Sequence, residues 1–263
     1  MHHLIRLAAA SVALLVLVLP AAAETALREI GAARVVEVVD GDTVVLDRAF
    51  DGARQVRLVG TQAPKLPLGR RNFPTWPLAP ESKKALADLV MGKRVTLRHG
   101  GRHMDQHGRL LAHLYTDDGS WVQGRMLRRG MSRVYTFPDN RALAAEMYAQ
   151  ERAAREAGRG IWALPYYALR TPEGAAEHID TFQVVEGRVV RVAKVRANVY
   201  FNFGRNWRED FTITIGSRAQ RLFRDAGVDL LSLQGRVVRV RGWLRSRNGP
   251  MIDATHPEQI EVR

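Results

Sequence analysis

The run from residue 34 to residue 65 constrains the fold most, because it has the pattern of three consecutive β-strands joined by tight turns. Valines and other apolar residues dominate 35–39 and 44–46, on either side of the tetrapeptide Asp40-Gly41-Asp42-Thr43. An Asp-Gly pair between two such runs is typical of a β-hairpin. A second Asp-Gly turn then leads to a third apolar run at 55–60. The sequence therefore predicts a three-stranded β-meander here.

The third strand carries one charged side chain, Arg57, among apolar neighbours, which is costly unless an anionic group lies nearby. Together with the DGDT turn, this spacing resembles the staphylococcal nuclease family, whose signature is D-G-D-T-hydrophobic followed by R-L-x-G-[IV]-D-[AT]-P-E. Further along, residues 105–109 (DQHGR) resemble the family's D-x-[YF]-G-R, and 158–162 (GRGIW) resemble its G-x-G-[IL]-W ending. The resemblance covers residues 31–163.

This resemblance implies roles for individual residues. Asp42 would be a calcium carboxylate, and Arg57 and Arg109 would be the catalytic arginines that bind phosphate. Tyr135 and Phe137 would line the nucleotide pocket, although Phe137 lacks the hydroxyl of the tyrosine found there in the family. Stacking on a base survives that change, whereas one hydrogen-bonding group is lost.

Two departures from the signature affect the metal and the base. Gln62 stands where the family has its second metal-binding aspartate, and Lys65 stands where it has the glutamate assigned as general base. The resemblance implies that Lys65, with Arg57 and Arg109, surrounds the place of the scissile phosphate and binds a phosphate there. Calcium takes six to eight oxygen ligands, several of them charged. Two unit charges about 4 Å apart interact by about 4 kcal/mol at an effective dielectric constant near 20, and a divalent ion doubles that repulsion. We therefore expect no cofactor, and calcium only if the nuclease site is active.

The fold class predicted is mainly β with α (α+β), with two five-stranded barrels of the oligonucleotide/oligosaccharide-binding (OB) type in tandem. The first, over 31–164, would be nuclease-like with three helices, and a polar linker at 165–180 would precede the second barrel at 181–263. Helices are expected at 80–91, 122–129 and 141–157, and the second half shows strand patterns at 182–195, 197–203, 210–215, 235–244 and 251–262 with a helix at 217–226. Residues 241–244 (RGWL) and 248–252 (NGPMI) resemble OB-like segments appended to some bacterial nucleases.

Residues 1–23 have the pattern of a secretory signal peptide. The apolar run at 7–19 follows Arg6, and three alanines precede Glu24, so cleavage is expected after Ala23. A membrane anchor is the alternative, but the run is shorter than the roughly 20 residues of a spanning helix. We expect an exported protein, periplasmic or secreted, without a stable membrane span once the signal is removed. The chain has no cysteine, so its stability rests on burial without disulfides.

The net charge of +13 favours a polyanionic partner. Forty Lys and Arg face 27 Asp and Glu, and most of the excess is arginine, which binds phosphate oxygens bidentately. Nucleic acid, another polyanion, an acidic membrane surface or a merely solvated basic surface all fit this charge. The loop at 66–79 combines Arg70 and Arg71 with aromatic residues and prolines, as expected of a flap over a nucleotide or of a surface loop. No sequence feature specifies an oligomeric state.

Aromatic residues also alternate with arginines in the second half of the chain. Phe201 and Phe203 would lie on one face of a strand and Tyr200 on the other, with Trp207 and Trp243 nearby. One face must be core, and the other is a candidate stacking platform for single strands. The alternative is that this half only stabilises or docks the first.

Four histidines gather around the DQHGR motif: His99, His103, His107 and His113. One of them could replace the missing base, or the group could hold a transition metal together with Asp105. The third interpretation is that His107 only replaces the aromatic residue of the family motif.

Three functions follow. The first is an exported protein with the nuclease fold that binds nucleic acid or another phosphate-bearing ligand and has lost calcium-dependent phosphodiesterase activity. The second is an active endonuclease with a rearranged base or metal site, in which Arg57 and Arg109 stabilise the developing charge. The third is a structural or interaction module of the cell envelope.

Overall fold

The computed structural model describes residues 27–263. The expected signal segment 1–23 lies outside the described residues. The first half contains strands β1 (Arg28–Asp40), β2 (Thr43–Phe50), β3 (Ala53–Leu58), β4 (Thr61–Gln62), β5 (Arg94–His99), β6 (Leu110–Thr116) and β7 (Arg133–Val134), with helices α1 (Ala79–Val90), α2 (Val122–Arg128) and α3 (Ala144–Glu156). The second half contains strands β8 (Phe182–Arg188), β9 (Arg191–Val195), β10 (Asn198–Asn202), β11 (Thr212–Ile215), β12 (Val237–Trp243), β13 (Arg245–Ser246), β14 (Pro250–Asp253) and β15 (Ile260–Val262), with helix α4 (Ser217–Asp225).

The first half forms a closed barrel in the strand order β1-β2-β3-β6-β5, which confirms the predicted five-stranded architecture. The DGDT turn joins β1 to β2, with Asp40 opposite Thr43. β1 is long enough to pair with β5 through its first part and with β2 through its second part, and this closes the barrel. Every pairing is antiparallel except β3 with β6, which is parallel.

The barrel core follows from strand alternation. Val44, Leu46, Val56 and Leu58 point inward and are fully or almost fully buried, and α1 covers them with Leu86. α3 begins at Ala144, three residues later than predicted, because Leu143 adopts a left-handed backbone conformation with φ of 58°. In the described part of the chain, no helix is both long and apolar enough to cross a membrane.

The second half encloses a separate core with two sheets, ordered β13-β14-β11-β10-β9 and β15-β12-β8. The single strand predicted at 182–195 divides at Val189 and Val190. Val189 exchanges backbone hydrogen bonds with the residues preceding β12, whereas the Val190 N–H donates to the carbonyl of Asn202, so the chain passes from one sheet to the other. The strand predicted at 251–262 divides similarly into β14 and β15.

When β8 with β9, and β14 with β15, are each counted as one strand, the second half has the same order of strands around its core as the first half. β8 and β9 act as one bent strand between β12 and β10, and β14 and β15 together link β11 to β12. β11 and β14 are parallel, as β3 and β6 are. This order of strands around one core is OB-like.

The segment 165–180, predicted as a linker, is packed against both halves. It contains two short 3₁₀ helices, Pro165–Tyr167 and Glu173–His178. The Tyr167 hydroxyl donates to the carbonyl of Pro77 at 2.8 Å, and Ala175 is buried in the core of the second half. The segment is therefore packed, with contacts to both halves.

Candidate functional site

A lysine ammonium sits directly on the carboxylate of the DGDT turn. Asp42 is completely buried, and Lys65 Nζ lies 2.8 Å from its Oδ1 and 2.7 Å from its Oδ2. The same Nζ is 3.3 Å from Asp40 Oδ2. Arg57 Nη1 is 3.2 Å from Asp42 Oδ2, and the backbone N–H of Ala63 donates to that oxygen at 2.7 Å. Protein cations and donors therefore saturate both oxygens of Asp42.

The pKa values of the two aspartates reflect this arrangement. Burial alone would raise the pKa of Asp42, but Arg57 and Lys65, with the hydrogen bonds from Lys65 and Ala63, hold it well below its ordinary value. The pKa of Asp40 is raised, first by burial and then by the negative charge of Asp42. Asp42 is thus the permanently ionised partner of Lys65 and Arg57.

The turn is shaped by contact with the first helix. A Cβ on Gly41 would lie 2.0 Å from Ser82 Oγ and 2.7 Å from Ala63 Cβ, so only glycine fits this close approach. Ser82 Oγ in turn donates to the carbonyl of Met131 at 2.7 Å. The sequence Asp-Gly-Asp therefore fixes both carboxylates against α1 and beside Lys65.

Gln62 is engaged by a buried arginine. Its Oε1 accepts hydrogen bonds from Arg133 Nε at 2.9 Å and from Nη2 at 2.7 Å. The guanidinium lies 4.4 Å from the ring centroid of Phe182 and is also close to the rings of Trp76 and Tyr167. Burial lowers the pKa of Arg133 to about 10. The amide oxygen of Gln62 is therefore committed to this cation.

The residues present do not fit the calcium site that the family resemblance implies. Asp42 is bound by Lys65 and Arg57, Gln62 is bound by Arg133, and a cation at Asp42 would contact the Lys65 ammonium. Calcium needs several uncommitted carboxylate or carbonyl oxygens. Across residues 27–263, no three His, Asp or Glu side chains group in a way that could hold a metal ion.

Beside this cluster lies a cleft of about 350 Å³, which contains four of the residues predicted to bind phosphate or nucleotide: Arg57, Arg109, Tyr135 and Phe137. Arg57 is mostly turned into the protein, where its Nη2 donates to the carbonyl of Thr61 at 2.6 Å and its Nη1 donates to that of Leu58 at 3.0 Å. Phe137 is 46% exposed and packs edge-on against Tyr135. The cleft therefore combines guanidinium groups with an accessible aromatic ring.

Arg109 is positioned by the motif that contains it. Asp105 Oδ1 accepts from the backbone N–H of Arg109 at 2.9 Å, and Asp105 Oδ2 accepts from Arg109 Nε at 2.7 Å. Burial would raise the pKa of Asp105, but these hydrogen bonds and that from His107 N–H outweigh it and lower the pKa. Gly108 adopts φ of 73°, which lets the loop fold back on Asp105.

Three residues predicted to bind phosphate or nucleotide lie elsewhere. Lys65 does not line the cleft but reaches it indirectly, through Asp42 and Arg57. Neither Arg70 nor Arg71 lines it. Arg70 stacks 3.6 Å above the ring of Phe73, and its Nη2 donates to a carbonyl of its own loop. The predicted flap is thus packed on itself.

The histidines do not assemble into one site. His113 is buried, accepts a hydrogen bond from Trp121 Nε1 at 3.3 Å, and has a pKa lowered by burial to about 4. His103 lies 3.3 Å from Asp51 at the surface. His107 lines the cleft and is the histidine placed to contact a ligand there.

Sequence reasoning missed the contacts that bring the second half to this cleft. Trp243 Nε1 donates to the Tyr135 hydroxyl at 3.2 Å. Arg241 forms a bidentate pair with Glu151 at 3.0 Å for both contacts, and both side chains are buried. Glu151 also accepts from the backbone N–H of Val134 at 2.6 Å. A carboxylate on the apolar face of α3, four residues after Met147, was the available signal for a buried cation.

Comparison with known proteins gives a family match and several similar proteins. The model of the family described as staphylococcal nuclease homologues matches residues 55–164. An uncharacterized endonuclease of Escherichia coli O157:H7 is 33% identical over 129 residues, which are 49% of this chain and 75% of that protein. Endonuclease YncB of Bacillus subtilis is 31% identical over 133 residues, covering 49% of this chain and 60% of that protein. Endonuclease YhcR of the same species is 31% identical over 131 residues, covering 48% of this chain and 11% of that much longer protein.

The chain therefore belongs to the staphylococcal nuclease family. Membership indicates a function related to nucleases and nucleic acids. Each of these matches covers about half of the chain or less.

Proposed function

We propose that the first barrel binds the phosphate backbone of a nucleic acid in the cleft of Arg57 and Arg109 without calcium-dependent hydrolysis. The observation that carries this proposal is the Lys65 ammonium, 2.7 and 2.8 Å from the two oxygens of Asp42. A protein cation there supplies the positive charge that a metal would bring.

Loss of hydrolysis follows from what the lysine can and cannot do. A divalent ion lowers the pKa of a bound water and so generates the attacking hydroxide. The Lys65 ammonium is in hydrogen-bond contact with Asp42 and Asp40. An ammonium does not coordinate and activate a water as a metal ion does, and while protonated it has no lone pair to act as a base. Lys65 therefore supplies the positive charge of the metal and stands at the position of the family's general base. It can neither activate the attacking water nor accept its proton.

Retention of binding is supported by the groups left available in the cleft. A guanidinium has five N–H donors. Within residues 27–263, the side chain of Arg109 contacts Asp105 through Nε and Nη2, so its Nη1 can donate to a phosphate oxygen. Phe137, 46% exposed beside it, offers a face or edge for a base.

We also propose that the protein acts outside the cytoplasm, in the periplasm or after secretion, because residues 1–23 have the composition of a signal peptide. The mass of the protein purified from its source should correspond to a chain starting at Glu24. Recovery of the uncleaved chain from the cytoplasmic fraction would contradict this part of the proposal.

The test follows binding and cleavage in the same samples. Labelled single-stranded DNA, duplex DNA and RNA are titrated with the protein while anisotropy is recorded at several salt concentrations, and gels follow cleavage with and without calcium, magnesium, manganese and zinc. We expect salt-sensitive binding and no calcium-dependent cleavage, since phosphate contacts weaken steeply with salt.

Amino-acid substitutions test whether nucleic acid binds in this cleft. Arg109→Ala and Phe137→Ala should each weaken binding, whereas Arg152→Ala removes an exposed arginine from α3 and should have little effect. Calcium-dependent cleavage that disappears in Arg109→Ala would establish the second function, an active endonuclease. Absence of both cleavage and salt-sensitive binding would favour the envelope module.

A further inference from the structure

The outer face of the five-stranded sheet in the second half carries a second cleft, outside the family match at 55–164. Alternation along β10 buries Val199 and Phe201 in the core and turns Tyr200 and Asn202 to the opposite face. Tyr200 pairs with Ala193 of β9, which also lines this face. The resulting cleft has a volume of about 390 Å³, within the range of ligand sites.

An exposed tryptophan is held at the edge of this cleft. Trp207 is 50% exposed and lines the cleft, and the guanidinium of Arg208 lies 4.4 Å from its ring centroid. Its loop is tied by Asp210, whose Oδ2 accepts from the N–H of Asn206 at 2.6 Å. Preorganisation of this kind lowers the entropy cost of binding.

The loop also packs against a glycine of the β13–β14 turn. A Cβ on Gly249 would lie 2.4 Å from the carbonyl oxygen of Glu209, and its φ is 84°. Only glycine allows this contact, which fixes the Trp207 loop beside the turn that carries Arg247. One wall of the cleft is therefore formed by two separate segments, the Trp207 loop and the β13–β14 turn.

The charge around the cleft is positive. Arg191 and Arg247 line it. Residues 181–263 contain 15 Lys and Arg against eight Asp and Glu. Two of those arginines are buried in ion pairs with glutamates, which leaves an excess of cations at the surface.

We infer that this cleft binds single-stranded nucleic acid, with bases stacked on Tyr200 and Trp207 and phosphates held by Arg191 and Arg247. Rings that line a cleft beside arginines suit unpaired bases, whereas the base faces in a duplex are already stacked. The excess of arginine favours a polyanion over a neutral oligosaccharide. The cleft is recessed, so it accommodates an oligonucleotide better than it would accommodate a flat membrane surface. This second site does not depend on the proposal for the first barrel.

The test uses the full chain with the first cleft disabled. In a Phe137→Ala and Arg109→Ala background, a fluorescein-labelled oligothymidine is titrated by anisotropy, and tryptophan fluorescence is followed in parallel. Adding Tyr200→Ala with Trp207→Ala should weaken the remaining binding by at least about tenfold, since base stacking is worth 1–3 kcal/mol per base. Trp207→Phe alone should retain most of the affinity and lose the fluorescence quenching.

Charge-matched variants separate the cleft from general electrostatic attraction. Arg191→Ala with Arg247→Ala should lower the slope of log K against log salt by roughly 0.7 for each phosphate that the protein no longer binds. Arg218→Ala with Arg224→Ala removes two exposed arginines from α4 and should leave that slope unchanged. Equal effects of the two pairs would overturn the proposal, as would unchanged affinity in the Tyr200 and Trp207 variant. Tighter binding of a neutral oligosaccharide than of oligothymidine would also overturn it.

Discussion

Replacing Arg241 with methionine removes the central cation of the contact between the two halves. The wild-type guanidinium is 1% exposed, is paired with Glu151 and Glu261, and donates to the carbonyl of Val134 at 3.2 Å. Methionine fills much of the same volume but leaves Glu151, completely buried, without its bidentate partner.

The magnitude follows from what Glu151 retains. Removing one partner of a buried pair costs about 3–5 kcal/mol. Glu151 still contacts Arg155 at 3.0 Å and the N–H of Val134 at 2.6 Å, so we expect the lower end, about 3 kcal/mol. For a chain of this size that corresponds to a fall in Tm of about 6–12 °C.

The assay is calorimetry, supported by urea denaturation, on the wild type, Arg241→Met, Glu151→Leu and the double variant. The double variant should be more stable than the sum of the single effects predicts, because it removes both charges of the buried Arg241–Glu151 pair together. Arg141→Met breaks the more exposed pair with Glu258, which also joins the two halves, and should cost only about 1 kcal/mol. Equal destabilisation by Arg241→Met and Arg141→Met would refute a dominant role of the buried pair, and so would a double variant that shows no coupling.

Three further predictions concern other parts of the molecule. Burial holds the pKa of His113 and of His256 at about 4, so both are neutral when folded; stability should fall as the pH drops from 6.5 toward 4, because the unfolded chain takes up protons first. Gly41→Ala should destabilise the fold by about 1–3 kcal/mol through overpacking against α1, measured by urea denaturation. Gln62→Glu should give no calcium affinity in a calorimetric titration, because the new carboxylate would pair with Arg133.

The first two of these predictions have matched controls. Replacing both histidines with glutamine should flatten the stability profile between pH 6.5 and 4, and an unchanged profile would show that other groups cause it. Gly174→Ala meets only Thr171 Oγ1 at 3.7 Å and should be close to neutral. Equal costs at Gly41 and Gly174 would contradict the packing argument, and calcium binding by Gln62→Glu would contradict the assignment of Arg133 as its partner.

The strands of the first barrel could be predicted because local signals determine them. The DGDT turn, the alternation around it and the glycine of the DQHGR loop act over a few residues, and the structure has the predicted hairpin at the DGDT turn. The division of 182–195 into β8 and β9 could not be predicted, since hydrogen-bond partners more than ten residues away cause it.

Within the candidate site, the resemblance predicted that Gln62 and Lys65 stand at the family's metal and base positions, and this assignment stays a prediction. The sequence could not show that Arg133 holds Gln62, because the aromatic rings around that guanidinium come from three distant segments. Likewise, nothing local in the chain pairs Glu151 with Arg241, which lies 90 residues further on. Contacts between the halves are tertiary, and one-dimensional patterns do not encode their partners.

The most direct measurement is a calorimetric titration of the unaltered protein with calcium, up to about 10 mM, above the range of weak protein calcium sites. Because the Lys65 ammonium is paired with the Asp42 carboxylate, we expect no saturable heat of calcium binding from the wild type. Lys65→Glu should gain calcium binding. Lys93→Glu, which reverses the charge of an exposed lysine, should gain none. Saturable one-to-one binding by the wild type that is lost in Asp42→Asn would contradict the account.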